Sequence, residues 1–256
     1  MITEVWRYLL SADHASLVRG LPRLSSNYLG PVPKFAELGL STLSHVDPFI
    51  RADSGELSVR LAYQQNLPLK WRTKLTFATN DVSEDCSNMI LQQTKGSEVF
   101  FLLRFPKPGF FMLQLYAMPV NDRSNYLPNV YNYLVEASNC HWLHGQVMPF
   151  PKQFDHWCRG CYLKTPTDGI LGLDDNGRLS REPPRSQSFN VRVPNVTAVA
   201  VVVGDKWTQL DSEGDRWKGK VHMKEHWGTK QKLTVYAKYA ADDTSYNSLL
   251  EYSLAM

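Results

Sequence analysis

The sequence predicts a mainly β protein: two antiparallel β-sandwiches in tandem behind a short, partly helical N-terminal segment. Three observations carry this reading. From Asp47 onward, short apolar or alternating runs follow one another with turn signals between them. The connections are too short for the helical crossovers that parallel strands need. The order of the runs then repeats in the second half of the chain, as expected of a duplicated unit. A length of 256 residues, 43% of them hydrophobic, suits two domains of about 110 residues each.

Residues 1–45 have a different texture. "EVWRYLL" and "ADHASLVRGLP" hold short helical groupings closed by Gly20 and Pro22, and "KFAELGLSTLSH" spaces Phe35, Leu38 and Leu43 near a helical period. The first sandwich is expected over 46–139. In it "GELSVRLAY" alternates, with Leu57, Val59 and Leu61 on one side. "KWRTKLTFAT" puts Trp71, Thr73, Leu75 and Phe77 on one face, and "SEVFFLLRF" is a buried run. "PKPG" supplies turn chemistry before "FFMLQLYAMP", and "VYNYLVEAS" closes the unit. Residues 140–152 read as a junction, because Pro149 and Pro151 resist both helix and ladder.

The second sandwich is expected over 153–256. Its order echoes the first: "SFNVRVPN", "VTAVAVVVGDKWTQL", "GDRWKGKVHM", "KLTVYAKYA" and "SYNSLLEYSL". Two matches tie the halves together. Val59-Arg60-Leu61 sits beside Val191-Arg192-Val193, and Tyr131–Glu136 ("YNYLVE") beside Tyr246–Glu251 ("YNSLLE"). Trp142, Phe154 and Trp157 flank the junction. Burying two such rings, at ~25 cal/mol per Å² and ~200 Å² each, gives several kcal/mol of coupling. A rigid pair is therefore expected rather than independent beads.

Composition narrows the function classes. A net charge of +3 lacks the dense basic stripe of a nucleic-acid binder. No apolar run reaches the ~20 residues of a membrane span, and the N-terminus does not read as a signal peptide. A cytoplasmic setting follows, in which Cys86, Cys140, Cys158 and Cys161 are expected as reduced thiols.

The densest chemistry lies in "NCHWLHGQ" and "FDHWCRGC". His144, His156, Cys158 and Cys161 supply four candidate zinc ligands, but the second half-site lacks a regular spacing. Cys158 and Cys161 form a Cys-x-x-Cys pair without the βαβ setting of a redox motif. Cys140 with a histidine would make a nucleophile and base, weighed against its reading as a small buried hydrophobe. Trp207 and Trp217 read as core anchors rather than an exposed aromatic pair. "DDNG" and "DSEGD" read as turns, since neither continues as a calcium loop. No residue is assigned to catalysis, to a cofactor or to a metal.

The series "YLGPVPKFAELGLSTLSH", "DPFIRADSGELSVRL", "RFPKPGFFMLQLYAMP", "NVYNYLVEAS" and "VPNVTAVAVVVGDKWTQL" resembles the kyphoscoliosis peptidase family, which includes the hillarin-like proteins. The resemblance runs from about Leu24 to Tyr252. In that family a transglutaminase-like cysteine-protease module precedes a tandem of β-sandwiches, and this chain resembles the tandem. It therefore implies immunoglobulin-like sandwiches without the catalytic Cys, His and Asp. It also implies a cytoskeletal setting such as the muscle Z-disc, with filamin-like protein partners. Two alternatives stay open. The chain is the C-terminal part of a transglutaminase-like cysteine peptidase, positioning substrate or partners, or it is a Cys/His metal-binding protein.

Overall fold

The computed structural model describes residues 28–64, 66–78, 83–124, 126–140, 147–174, 177–178, 180–240 and 245–256. Among the described residues two β-sandwiches account for almost all regular structure, and most strand pairs are antiparallel.

The first sandwich uses ten strands: β1 (Gly30–Pro31), β2 (Ser41–Thr42), β3 (Phe49–Ala52), β4 (Glu56–Ala62), β5 (Leu69–Ala78), β6 (Glu84–Asp85), β7 (Ile90–Lys95), β8 (Glu98–Arg104), β9 (Gly109–Pro119) and β10 (Asn129–Ala137). One sheet has the order β1-β10-β9-β5-β6, with β3 lying parallel to β10; the other runs β2-β4-β8-β7. Alternation explains the layering. On β5, Leu69, Trp71 and Leu75 face inward against Phe101 and Leu103 of β8, and the indole of Trp71 meets the Phe101 ring edge-on at 5.6 Å.

The second sandwich repeats the plan with β11 (Lys152–Gln153), β12 (Tyr162–Thr165), β13 (Ile170–Leu171), β14 (Ser186–Arg192), β15 (Ala198–Val203), β16 (Lys206–Gln209), β17 (Asp211–Glu213), β18 (Arg216–His222), β19 (Lys232–Lys238) and β20 (Asn247–Leu254). Its sheets run β11-β20-β19-β15-β16, with β13 parallel to β20, and β12-β14-β18-β17. Trp157, Phe189, Val201 and Tyr252 fill its core.

The two units correspond strand for strand in sheet order. Hairpins β7–β8 and β17–β18 each close on a two-residue turn whose glycine, Gly96 or Gly214, sits at φ +62° or +69°, where a side chain is strained. The β9–β10 and β19–β20 pairs carry a β-bulge at the matching place, between Asn129 and Tyr131 in the first unit and opposite Val235–Tyr236 in the second. These landmarks correct both sequence matches. Leu61 lies opposite Val99 and Val191 opposite Trp217, so Val191 is equivalent to Leu61, two residues beyond Val59. Tyr131 pairs with Leu115 and Leu250 with Val235, so Tyr131 is equivalent to Leu250, four residues beyond Tyr246. The repeat order holds, but the motif pairs that signalled it are out of register. Period-two patterning looks alike after any even shift.

The lead-in is also more β-like than its spacing suggests. Its described part holds one helical turn, α1 (Pro33–Glu37), followed by Gly39 at φ +62°. Strands β1 and β2 then join the first sandwich by pairing with β10 and β4. Leu43 is exposed rather than part of a buried helical face. The groupings before residue 28 lie outside the described residues.

Candidate functional site

Strand β7 is where the two sandwiches meet. It reads "ILQQTK", and every residue from Ile90 to Thr94 is buried although two are glutamines. Ile90 points into the first core, while Leu91 belongs to the apolar cluster of the second. An edge strand normally leaves a row of N–H and C=O groups unpaired. Here the second sandwich satisfies them. The Gln153 side chain accepts from the Gln92 N–H at 2.9 Å and donates to the Ile90 carbonyl at 2.8 Å, as a neighbouring strand would. The Trp157 indole N–H donates to the Gln92 carbonyl at 2.6 Å, and the Thr94 N–H donates to the Cys161 carbonyl at 2.7 Å. In return the Gln93 side chain accepts from the Leu163 N–H at 2.9 Å.

Arg104 clamps the same junction from one end. Its guanidinium donates to Glu56 at 2.9 Å in its own sandwich, and across the junction to the Met148 carbonyl at 2.9 Å and Asp168 at 2.7 Å. It stacks 4.3 Å over the Phe150 ring. Arg72 pairs with Asp155 at the other end.

The cysteines and histidine of the junction are structural in their surroundings. Cys158 and Cys161 are buried and unpaired, and the Cys161 thiol donates to the His156 carbonyl at 3.7 Å. Burial pushes the Cys158 thiol up to about 11 and the Cys161 thiol higher still, the reverse of the shift that activates a nucleophile. Burial also raises the Cys140 thiol. Burial lowers the His156 imidazole, whose ring packs 5.1 Å from Tyr239. Among the described residues no group of three His, Cys, Asp or Glu side chains is placed to hold a metal ion. His141, Trp142 and His144, and with them the fourth candidate ligand, lie outside the described residues. Trp157 bridges the two sandwiches as expected of a junction ring.

The pair Trp207 and Trp217 divides. Trp217 is buried in the second core, whereas Trp207 is 52% exposed, which corrects the core reading. The cause is register. Trp207 lies opposite Val202 on β15, whose inward residues are Val199, Val201 and Val203, so it projects from the outer face of edge strand β16. There it stacks on Tyr236 at 5.6 Å and meets Tyr246 edge-on at 5.0 Å, and Gln209 donates to the Tyr246 hydroxyl at 3.2 Å. Three aromatic rings thus share one outer face beside an open sheet edge. Two other short edge strands are acidic and exposed: Glu84–Asp85 on β6 and Asp211–Glu213 on β17. Gln92, Gln93, Gln153 and Arg104 escaped notice in the sequence. Gln92, Gln93 and Arg104 are buried by a partner distant in the chain, which no local pattern marks.

Fold and site together define a class: a tandem of immunoglobulin-like β-sandwiches joined by a buried polar clasp. Residues 26–151 match the KY-like, immunoglobulin-like domain family. Over 98% of its length the chain is similar to kyphoscoliosis peptidase of Mus musculus and of Homo sapiens, at 21% identity in each case. The resemblance to the kyphoscoliosis peptidase family stands on these matches. The chain spans about a third of those relatives, 35% of their length. Among solved structures it is similar to the I9–I11 tandem from titin, at 7% identity over 85% of this chain and 65% of that one, with a TM-score of 0.22. The periplasmic chaperone SfaE matches at 10% identity over 85% of this chain and all of its own, with a TM-score of 0.28. At such scores the fold rests on the chain's own sheets. No helix among the described residues is long and apolar enough to cross a membrane.

Proposed function

We propose that this chain is a non-catalytic interaction protein. It holds two sandwiches as one rigid unit and binds protein partners through the aromatic outer face of the second. The observation that supports this is Trp207, more than half exposed and braced by Tyr236 and Tyr246. Tyr and Trp dominate binding hot spots, and a pre-stacked ring loses little freedom on docking. The similarity to kyphoscoliosis peptidases suggests cytoskeletal partners, filamin-like proteins among them, and a cytoplasmic setting such as the Z-disc. A second reading draws on the one-third coverage of those relatives: the same surface places partners or substrate for a transglutaminase-like peptidase module.

The test is binding of purified filamin-type immunoglobulin repeats to the intact chain. We expect saturable binding, weakened at least tenfold by Trp207→Ala with the unfolding midpoint unchanged. Equal affinity for wild type and variant would remove the aromatic face from the account. Turnover of casein or of an amine donor by the chain itself would overturn the non-catalytic reading.

A further inference from the structure

The two sandwiches differ in one respect that the repeat makes measurable. In the first, β7 pairs with β8 along six residues, from Lys95 opposite Glu98 to Ile90 opposite Leu103. In the second, β17 pairs with β18 over three residues only, from Glu213 opposite Arg216 to Asp211 opposite Lys218. Counted back from the shared turn, Thr208 is the equivalent of Ile90. Yet Thr208 lies on β16 and pairs with Val201 in the other sheet. The chain changes sheets at Leu210, whose N–H donates to the Val199 carbonyl at 2.9 Å. Half a strand is therefore missing from the second sandwich. β18 keeps β14 on one side; on the other, Leu210 packs against Gly219, and no described strand lies along Lys220–His222.

A cleft of about 420 Å³ opens at that place between β16 and β18. Val203 and Val221 line it, with Thr208 and His226 beside them and the Lys206–Glu225 ion pair at its mouth. Val221 is the equivalent of Leu103, and in the first sandwich the partner of Leu103 is Ile90, fully buried in the core. The cleft occupies the place where Ile90 sits in the first unit. Along β18 the next outward residue is Lys220, exposed and without an ion-pair partner among the described residues, as is Lys224 beyond it.

We infer that this cleft accepts an extended segment of another protein as a completing strand, antiparallel to Lys220–His222. The segment carries an aliphatic residue opposite Val221, facing Val203, and an acidic residue next in sequence, opposite Lys220. Strand addition to an exposed edge gains main-chain hydrogen bonds, and the inward pocket and the outward cation set the side-chain pattern. A second copy of this chain is a poorer donor, since its described strands are already paired in its own sheets. The inference deepens the interaction reading by naming the chemistry of the segment held, at a cleft beside the aromatic face.

The probe is the peptide Ser87–Gln92 of this chain carrying Leu91→Glu, fused through a flexible Gly/Ser linker of about ten residues to Met256. Tethering raises its effective concentration to the millimolar range. The C-terminus lies close by, because Gly228 N–H donates to the Ala255 carbonyl at 3.2 Å. Amide exchange is read by NMR on intact chains. We expect exchange of the Lys220–His222 amides that point away from β14 to slow at least tenfold in the fusion. Ile90→Asp in the probe should abolish the effect, and Lys in place of its acidic residue should weaken it. No slowing, or equal slowing with Ile90→Asp, overturns the inference. So does protection of these amides in the unfused chain, whether at all dilutions, where the chain's own residues fill the cleft, or only at high concentration, where a second copy does. Filamin-type repeats that fail to bind would sink the choice of partner while leaving this result intact.

Discussion

Tyr133 and Tyr252 hold the same place in the two sandwiches. Tyr133 on β10 is fully buried and its hydroxyl donates to the His45 carbonyl at 3.0 Å. Tyr252 on β20 is fully buried and its hydroxyl donates to the Pro166 carbonyl at 3.0 Å. His45 stands four residues before β3 and Pro166 four residues before β13, the two strands that lie parallel to β10 and β20. Each tyrosine pins the chain segment that leads into its parallel edge strand. A buried phenol needs such an acceptor, and burial holds both hydroxyls far above their usual titration range.

The first prediction follows from that pairing. Tyr252→Phe removes its hydrogen bond to the Pro166 carbonyl, and Tyr133→Phe removes that to the His45 carbonyl and a side-chain hydrogen bond with Tyr131, so each should cost at least about 1–2 kcal/mol. Tyr126→Phe, at a largely exposed ring, should stay within about 0.5 kcal/mol of wild type. Urea unfolding of the intact chain measures all three. A silent Tyr252→Phe would mean that the hydroxyl does not anchor the strand.

The junction yields the second. Gln93→Ala leaves the Leu163 N–H without an acceptor in a buried place, at a cost of about 1–3 kcal/mol. Because β7 contributes Leu91 to the second core, the loss should be felt by both sandwiches in one cooperative transition. Separately expressed 31–145 and 146–256 should each unfold at lower denaturant than the whole. Halves that melt as they do in the intact chain would show that the clasp carries no coupling.

The sequence made the sandwiches legible because burial on one face writes a period of two, as in "KWRTKLTF". It made the repeat legible as an order of elements but not as an alignment, since an even shift keeps every side chain on its face. The junction was harder. Gln92 and Gln93 are buried only because a second sandwich covers β7, and a long-range partner leaves no local trace. Trp207 was misread for a related reason. Its neighbour Val203 is core, and only the turn at Gly204 and the pairing with Val202 turn the ring outward.

The third prediction concerns the thiols. Burial keeps Cys158 and Cys161 protonated near neutral pH, and the thiolate is the reactive form. Iodoacetamide at pH 8 should leave both unmodified in the native chain and label all four cysteines after denaturation, as read by mass spectrometry. Rapid native labelling of Cys161 would contradict its buried placement.

The fourth prediction is a pH dependence with a fixed sign. Burial, and then the nearby Arg159, hold the His156 imidazole below its usual value of 6.5. Its Nδ1 has no hydrogen-bond partner, and the neighbouring Asp155 carboxylate, which favours the charged ring, is outweighed by burial and Arg159. Above about pH 6.5 the ring is neutral in both folded and unfolded chains, and His156 adds no pH dependence. As pH falls through 6.5 the unfolded chain takes up the proton first, and stability declines until the folded ring titrates as well. His45, lowered by burial, acts in the same direction. His156→Phe preserves the ring packing on Tyr239 and removes the titration, so wild type should lose more stability than the variant between pH 7 and 5. The two unfolding curves should converge toward a constant difference above pH 7. Parallel curves across that window, or a wild type that gains stability on acidification relative to His156→Phe, would mean that the buried ring accepts its proton as readily in the fold as out of it.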